Sequence, residues 1–161
     1  MPNRLQRRRH CERGFSLIEL LIVIAIILII LAVALPQMNK SRMHAQETAA
    51  IATIKTLNTE EVQYYSEFGH YATALTQLGP PSASGGTSGP DAADLIPSNL
   101  ASGTSSGYNF TIAQTATGYS ISAVPKTFGG TGKRTFYSDE SGVIRQNWGA
   151  EPATPTSPPI Q

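Results

Sequence analysis

The chain has 161 residues, 40% hydrophobic and 14% charged, with a formal net charge of +1. That length allows one domain of ordinary size and leaves little room for a second. Five of the twelve basic side chains (Arg4, Arg7, Arg8, Arg9 and Arg13) fall in residues 1–14, and beyond them seven bases face ten acids, a net charge of −3 that argues against a nucleic-acid binder with a basic surface. The only cysteine, Cys11, lies in this basic leader, so the rest of the chain can form neither a disulfide nor a thiolate metal site.

Residues 15–35 read FSLIELLIVIAIILIILAVAL, apolar at 19 of 21 positions, with Ser16 and Glu19 the exceptions. As a helix they span roughly 31 Å, the thickness of a bilayer core. The preceding positive charge predicts a cytoplasmic N-terminal side, with the remainder across the membrane. A secretory signal is shorter and ends in small residues at a cleavage site; Ala32 and Ala34 give only a weak match. A plain signal anchor explains the length but not Glu19. A carboxylate costs on the order of 2.5–3.5 kcal/mol at mid-helix, less near an end, which makes Glu19 a functional candidate.

The run R-G-F-S-L-I-E-L-L-I-V-I-A-I-I, residues 13–27, resembles the N-terminal processing motif of type IV prepilins and type II secretion pseudopilins. Gly14, Phe15 and Glu19 stand where that family has glycine, an aromatic and glutamate, and Pro36 matches a common helix-interrupting proline. The resemblance implies a leader, residues 1–14, removed between Gly14 and Phe15 by a membrane-embedded prepilin peptidase that also methylates the new amine of Phe15. It further implies that residues 15–35 stay with the mature chain as a transmembrane and filament-core helix. Glu19 would then pair with the N-terminal amine of a neighbouring copy, since a cation is the natural partner for a buried carboxylate. The local alternative is that Glu19 complements the helix dipole and its own chain's amine.

Residues 36–70 continue as the amphipathic half of the long helix, to about Phe68, with Pro36 expected to kink or loosen it. On a helical wheel Ala50, Ile51, Ile54, Leu57, Val62, Tyr64, Tyr65 and Phe68 share one arc, the face of a helix laid on a globular domain. Glu61 interrupts that arc. It either pairs with a later base such as Arg134 or Arg145, or marks where the helix leaves its partner, and the second reading is adopted. Tyr64, Tyr65, Phe68 and Tyr71 read as core, with Gly69 as the helix stop. The spacing Y-x-x-x-x-G-x-Y from Tyr64 to Tyr71 is similar to the end of the long helix in many pilins.

Residues 71–107 form a Gly/Ser/Pro-rich loop expected to be flexible, with a possible short helix capped by Asp91 and carrying Leu95 and Ile96. Residues 108–148 show strand alternation at Tyr108, Phe110 and Ile112 and again at Tyr119, Ile121 and Ala123, with two further strands at 135–137 and 143–148. Three or four antiparallel strands packed on residues 50–68 are the simplest solution. The Pro-rich tail, residues 149–161, is expected to be disordered. The Gly129 to Thr135 run fails as a phosphate loop because Arg134 stands where Ser or Thr is required, so it reads as a hairpin loop. Asp139 and Glu140 have the oxygen chemistry to ligate calcium, but two acids in a tight turn read as solvated turn residues. His44 and His70 lack an adjacent acid or nucleophile motif and read as surface residues.

The resulting expectation is an α+β, type IV pilin-like chain with no catalytic residues, no metal and no required cofactor. Its first functional reading is a pilus subunit precursor, with a type II secretion pseudopilin second. A signal-anchored periplasmic binding module is the rival from another class. Its expected partners are further copies of itself, the prepilin peptidase and methyltransferase, an inner-membrane assembly platform and the membrane, with no nucleic acid. The expected location is the bacterial inner membrane, single-pass with a cytoplasmic N-terminus, and then a periplasmic or extracellular filament.

Overall fold

A computed structural model describes residues 15–81 and 86–160. The leader with Gly14 and Cys11, loop residues 82–85 and Gln161 lie outside the described residues. The chain divides after Met38 into two units, the second being Asn39–Gln161.

The first element, α1, is the helix Leu17–Phe68. Ser16 O starts it by accepting from Glu19 N–H (3.1 Å) and Leu20 N–H (3.2 Å). Helical structure runs through position 36, where proline withholds one backbone donor. Gly69 ends the helix in the left-handed region (φ 77°), its N–H bonding Tyr65 O at 2.8 Å.

Two four-residue helices follow, α2 (Leu75–Leu78) and α3 (Ser98–Ala101), then five strands: β1 (Thr104–Ser105), β2 (Tyr108–Gln114), β3 (Tyr119–Pro125), β4 (Arg134–Asp139) and β5 (Arg145–Trp148). They form one antiparallel meander in chain order. β2 and β3 pair from Tyr108↔Pro125 to Gln114↔Tyr119, which aligns their buried residues on one face. The core joins Ala50, Ile54, Leu57 and Tyr64 of α1 to Tyr108, Phe110, Ile112, Tyr119, Ile121 and Phe136 of the sheet. Leu75, Leu78, Ile96 and Leu100 close it from the connecting segment.

Several expectations are corrected. The buried stripe of α1 is Glu47, Ala50, Ile54, Leu57, Glu61 and Tyr64, a strict alternation of three and four. Val62 and Tyr65, one position out of phase, are 56% and 47% exposed. No helix starts at Asp91. Gly89 and Ala92 form a bridge, and Ala93, Leu95 and Ile96 donate to carbonyls of Gln77 and Leu78. The helix starts instead after Pro97, which restrains Ile96 toward extended backbone and sets up α3. Among its described residues, the 71–107 segment is therefore cross-linked by backbone bonds. The Pro-rich tail is likewise ordered. Gln146 N–H bonds Pro158 O and Ile160 N–H bonds Ile144 O, each at 2.9 Å, while Ala153 is buried. The prolines of the tail still supply carbonyl acceptors, so the free edge of β5 pairs with it.

Candidate functional site

The N-terminal segment is built for contact with something outside the single chain. Phe15 precedes α1, Glu19 sits in its first turn one helical turn further on, and both are exposed. Every large apolar side chain from Phe15 to Leu35 is also exposed, on all faces of the helix. The segment is long and apolar enough to cross a membrane. Apolar surface of this extent is costly in water, so it requires lipid or other helices as its surroundings.

In the second unit, two acids lie inside the buried stripe of α1 and meet different environments. Glu47 is fully engaged. Its Oε1 accepts from Lys133 N–H at 2.8 Å, and its Oε2 accepts from Arg134 Nε and Nη2, each at 2.8 Å. Arg134 Nη1 reaches Gln146 Oε1 at 2.9 Å, and the guanidinium lies 5.5 Å from the Phe136 ring centroid and 5.1 Å from that of Trp148. Glu47 thus ties α1 to β4 and β5.

Glu61 is wholly buried and unpaired. Its Oε2 accepts from Ala72 N–H at 3.0 Å, and its Oε1 has no partner. Burial pushes its carboxyl up to about 7, against the lowering effect of the Ala72 hydrogen bond. Both readings of Glu61 from the sequence are corrected. Arg134 pairs with Glu47 and Arg145 Nη1 donates to Ser157 O at 3.1 Å, so neither base reaches Glu61. Nor does the helix leave its partner there, since Tyr64, one turn on, is also fully buried. Glu47 does not stand out in the sequence as a paired acid. The available signal was its phase, seven residues before Ile54 on the same stripe.

The buried tyrosines are structural. Tyr64 Oη donates to Pro90 O at 2.6 Å and Tyr119 Oη to Asn58 Oδ1 at 3.1 Å. Asn58 Nδ2 in turn donates to Ser138 Oγ at 2.9 Å. Burial, and then the Glu61 charge, push the Tyr119 hydroxyl up to about 12. Asp139 Oδ1 accepts from Ser141 N–H at 3.0 Å, and Glu140 accepts from Thr117 Oγ1. Among the described residues no group of three His, Cys, Asp or Glu is placed to hold a metal ion. His44 and His70 are exposed and lie far apart along α1 and its following turn.

An apolar N-terminal helix continuing into a stripe that packs on an antiparallel meander defines a class of protein, an α+β domain carried on a long N-terminal helix. A family model described as "Prokaryotic N-terminal methylation motif" matches residues 9–35. Similar proteins include the type IV major pilin protein PilA of Myxococcus xanthus, 34% identical over 76 residues, covering 47% of this chain and 34% of the pilin. The competence protein ComGC of Halalkalibacterium halodurans is 39% identical over 69 residues, covering 43% of this chain and 68% of that protein. A fimbrial protein of Neisseria meningitidis is 37% identical over 68 residues, covering 42% and 40%. The chain thus spans well under half the length of the Myxococcus and Neisseria relatives. No solved structure gives a significant match. The chain belongs to the type IV prepilin and pseudopilin family, with a pilin-type α+β fold.

Proposed function

We propose that this chain is the precursor of a type IV pilus subunit, held in the bacterial inner membrane by residues 15–35 and polymerised through the same helix. The supporting observation is an apolar helix exposed on every face, carrying one carboxylate a single turn from Phe15. In this reading prepilin peptidase cuts between Gly14 and Phe15 on the cytoplasmic side, and the new amine of Phe15 is methylated. Copies then leave the bilayer through an inner-membrane assembly platform, and Glu19 neutralises the amine of a neighbour. Pro36, with one missing helical hydrogen bond, is where the helix can lengthen as it packs. None of these steps calls for a cofactor held by this chain, the methyl donor being the business of the methyltransferase. The type II secretion pseudopilin is the second reading, favoured by one feature: no cysteine follows Cys11, so the C-terminal disulfide of many pilins cannot form.

Glu19→Val tests the assignment. The precursor should insert and be processed, since a carboxylate near the chain start is not needed for either step. In the filament core the unpaired amine costs on the order of 3–5 kcal/mol per subunit. Sheared surface filaments should therefore vanish while membrane levels of the processed chain hold. Wild-type filament yield from Glu19→Val would refute the assembly role and leave the local dipole role.

A further inference from the structure

At its chain entry, the second unit carries a surface that combines unpaired cations with exposed aromatic rings. Lys40, Met43, Lys133 and Trp148 line one cavity, together with Glu47. Arg42 and Met43 line an adjoining one against residues 129–131, the loop that also carries Phe128. Glu47 is the one acid lining either cavity. It is held by Arg134 in the one ion pair among the described residues, so Lys40, Arg42 and Lys133 present uncompensated charge. Trp148 is 69% exposed and Phe128 50%. The Arg134 guanidinium stacked on the Trp148 ring fixes it at the surface.

Large rings left in water are unfavourable, whereas rings flanked by Lys and Arg match the boundary between hydrocarbon and headgroups. Chain connectivity keeps Lys40 within reach of such a boundary. Lys40 follows Leu35 by five residues, at most roughly 18 Å of chain even if fully extended. We infer that this surface docks on anionic phospholipid headgroups of the membrane that the same chain crosses. Trp148 and Phe128 sit at headgroup level, and Lys40, Arg42 and Lys133 meet lipid phosphates. The inference rests on reading residues 15–35 as a membrane span. Each cation held at an anionic surface multiplies the docked population by a factor of about five.

Trp148 is the only tryptophan in the chain, so its fluorescence reports this surface alone. The test reconstitutes the full chain at low density in phosphatidylcholine vesicles with and without phosphatidylglycerol. With the anionic lipid, acrylamide quenching should fall relative to the chain in detergent, as expected for a ring at the interface. Lipids brominated close to the headgroup should quench the emission. Lys40→Gln/Arg42→Gln/Lys133→Gln, three exposed substitutions, should restore acrylamide access and abolish the bromolipid effect with unchanged circular dichroism. A wild-type Trp148 as open in vesicles as in detergent overturns the inference. Protection that appears only when protein density is raised also overturns it, in favour of contact between copies. Vesicle flotation separates the two levels. A chain that floats with an open Trp148 overturns docking alone, while a chain that does not float overturns the span reading and docking together.

Discussion

Glu61 gives the sharpest quantitative test of the fold. It is fully buried with one oxygen bonded to Ala72 N–H and the other unpartnered, and its carboxyl is pushed from about 4.5 up to about 7. Between those values the folded unit holds a proton that the unfolded chain has released. Stability must therefore fall as pH rises through that window, and then level off above about 7. At 1.36 kcal/mol per pH unit the window is worth about 3 kcal/mol. Glu61→Gln keeps an acceptor for Ala72 N–H and removes the ionisation. Its stability relative to wild type should rise by about 3 kcal/mol between pH 4.5 and pH 7.5. The constant cost of one buried amide N–H₂ without a partner cancels from that difference. Urea unfolding of residues 39–161, followed by circular dichroism across this pH range, measures it. Taking the difference between the two proteins also removes the contributions of every other carboxylate. A flat difference would show that Glu61 is hydrated or paired in solution and would refute the reasoning.

Four further outcomes follow from particular residues. Arg134→Ala strips the buried Glu47 of its guanidinium and should cost about 3–5 kcal/mol in the same urea assay, with Arg134→Lys recovering only part because one ammonium cannot replace the forked contact. At Gly132 an added Cβ would overlap the hydroxyl of the buried Tyr108, whose Oη donates to Arg134 O, so Gly132→Ala should lower stability by roughly 1–3 kcal/mol. Gly14→Val should leave a full-length precursor in the membrane, since a side chain obstructs peptidase access to the backbone; normal accumulation of a chain beginning at Phe15, read by mass spectrometry, would contradict this. Residues 39–161 contain no cysteine, so their melting temperature should be the same with and without dithiothreitol.

The local features of this chain could be read from sequence because their causes are local. Residues 15–35 announce themselves by an apolar run broken only at Ser16 and Glu19, Gly69 stops the helix through its own backbone freedom, and strict alternation fixes β2 and β3. The methylation motif, matched over residues 9–35, carries Gly14, Phe15 and Glu19 at a spacing that exists before any folding occurs.

Other features depended on groups distant in the chain. Whether Glu47 is paired and Glu61 is not depends on which bases the sheet register carries back to α1, and Arg134 lies 87 residues beyond Glu47. The wheel could not separate Tyr64 from Tyr65, because the width of a buried arc is set by the partner surface and not by the helix. The tail reads as unstructured by composition, yet its carbonyls satisfy donors on β5 that would otherwise face solvent, Gln146 N–H among them. Composition and spacing determine what a segment can form by itself; which buried charges find partners, and which proline-rich segment covers an edge, is decided only when distant backbone is brought within hydrogen-bond reach.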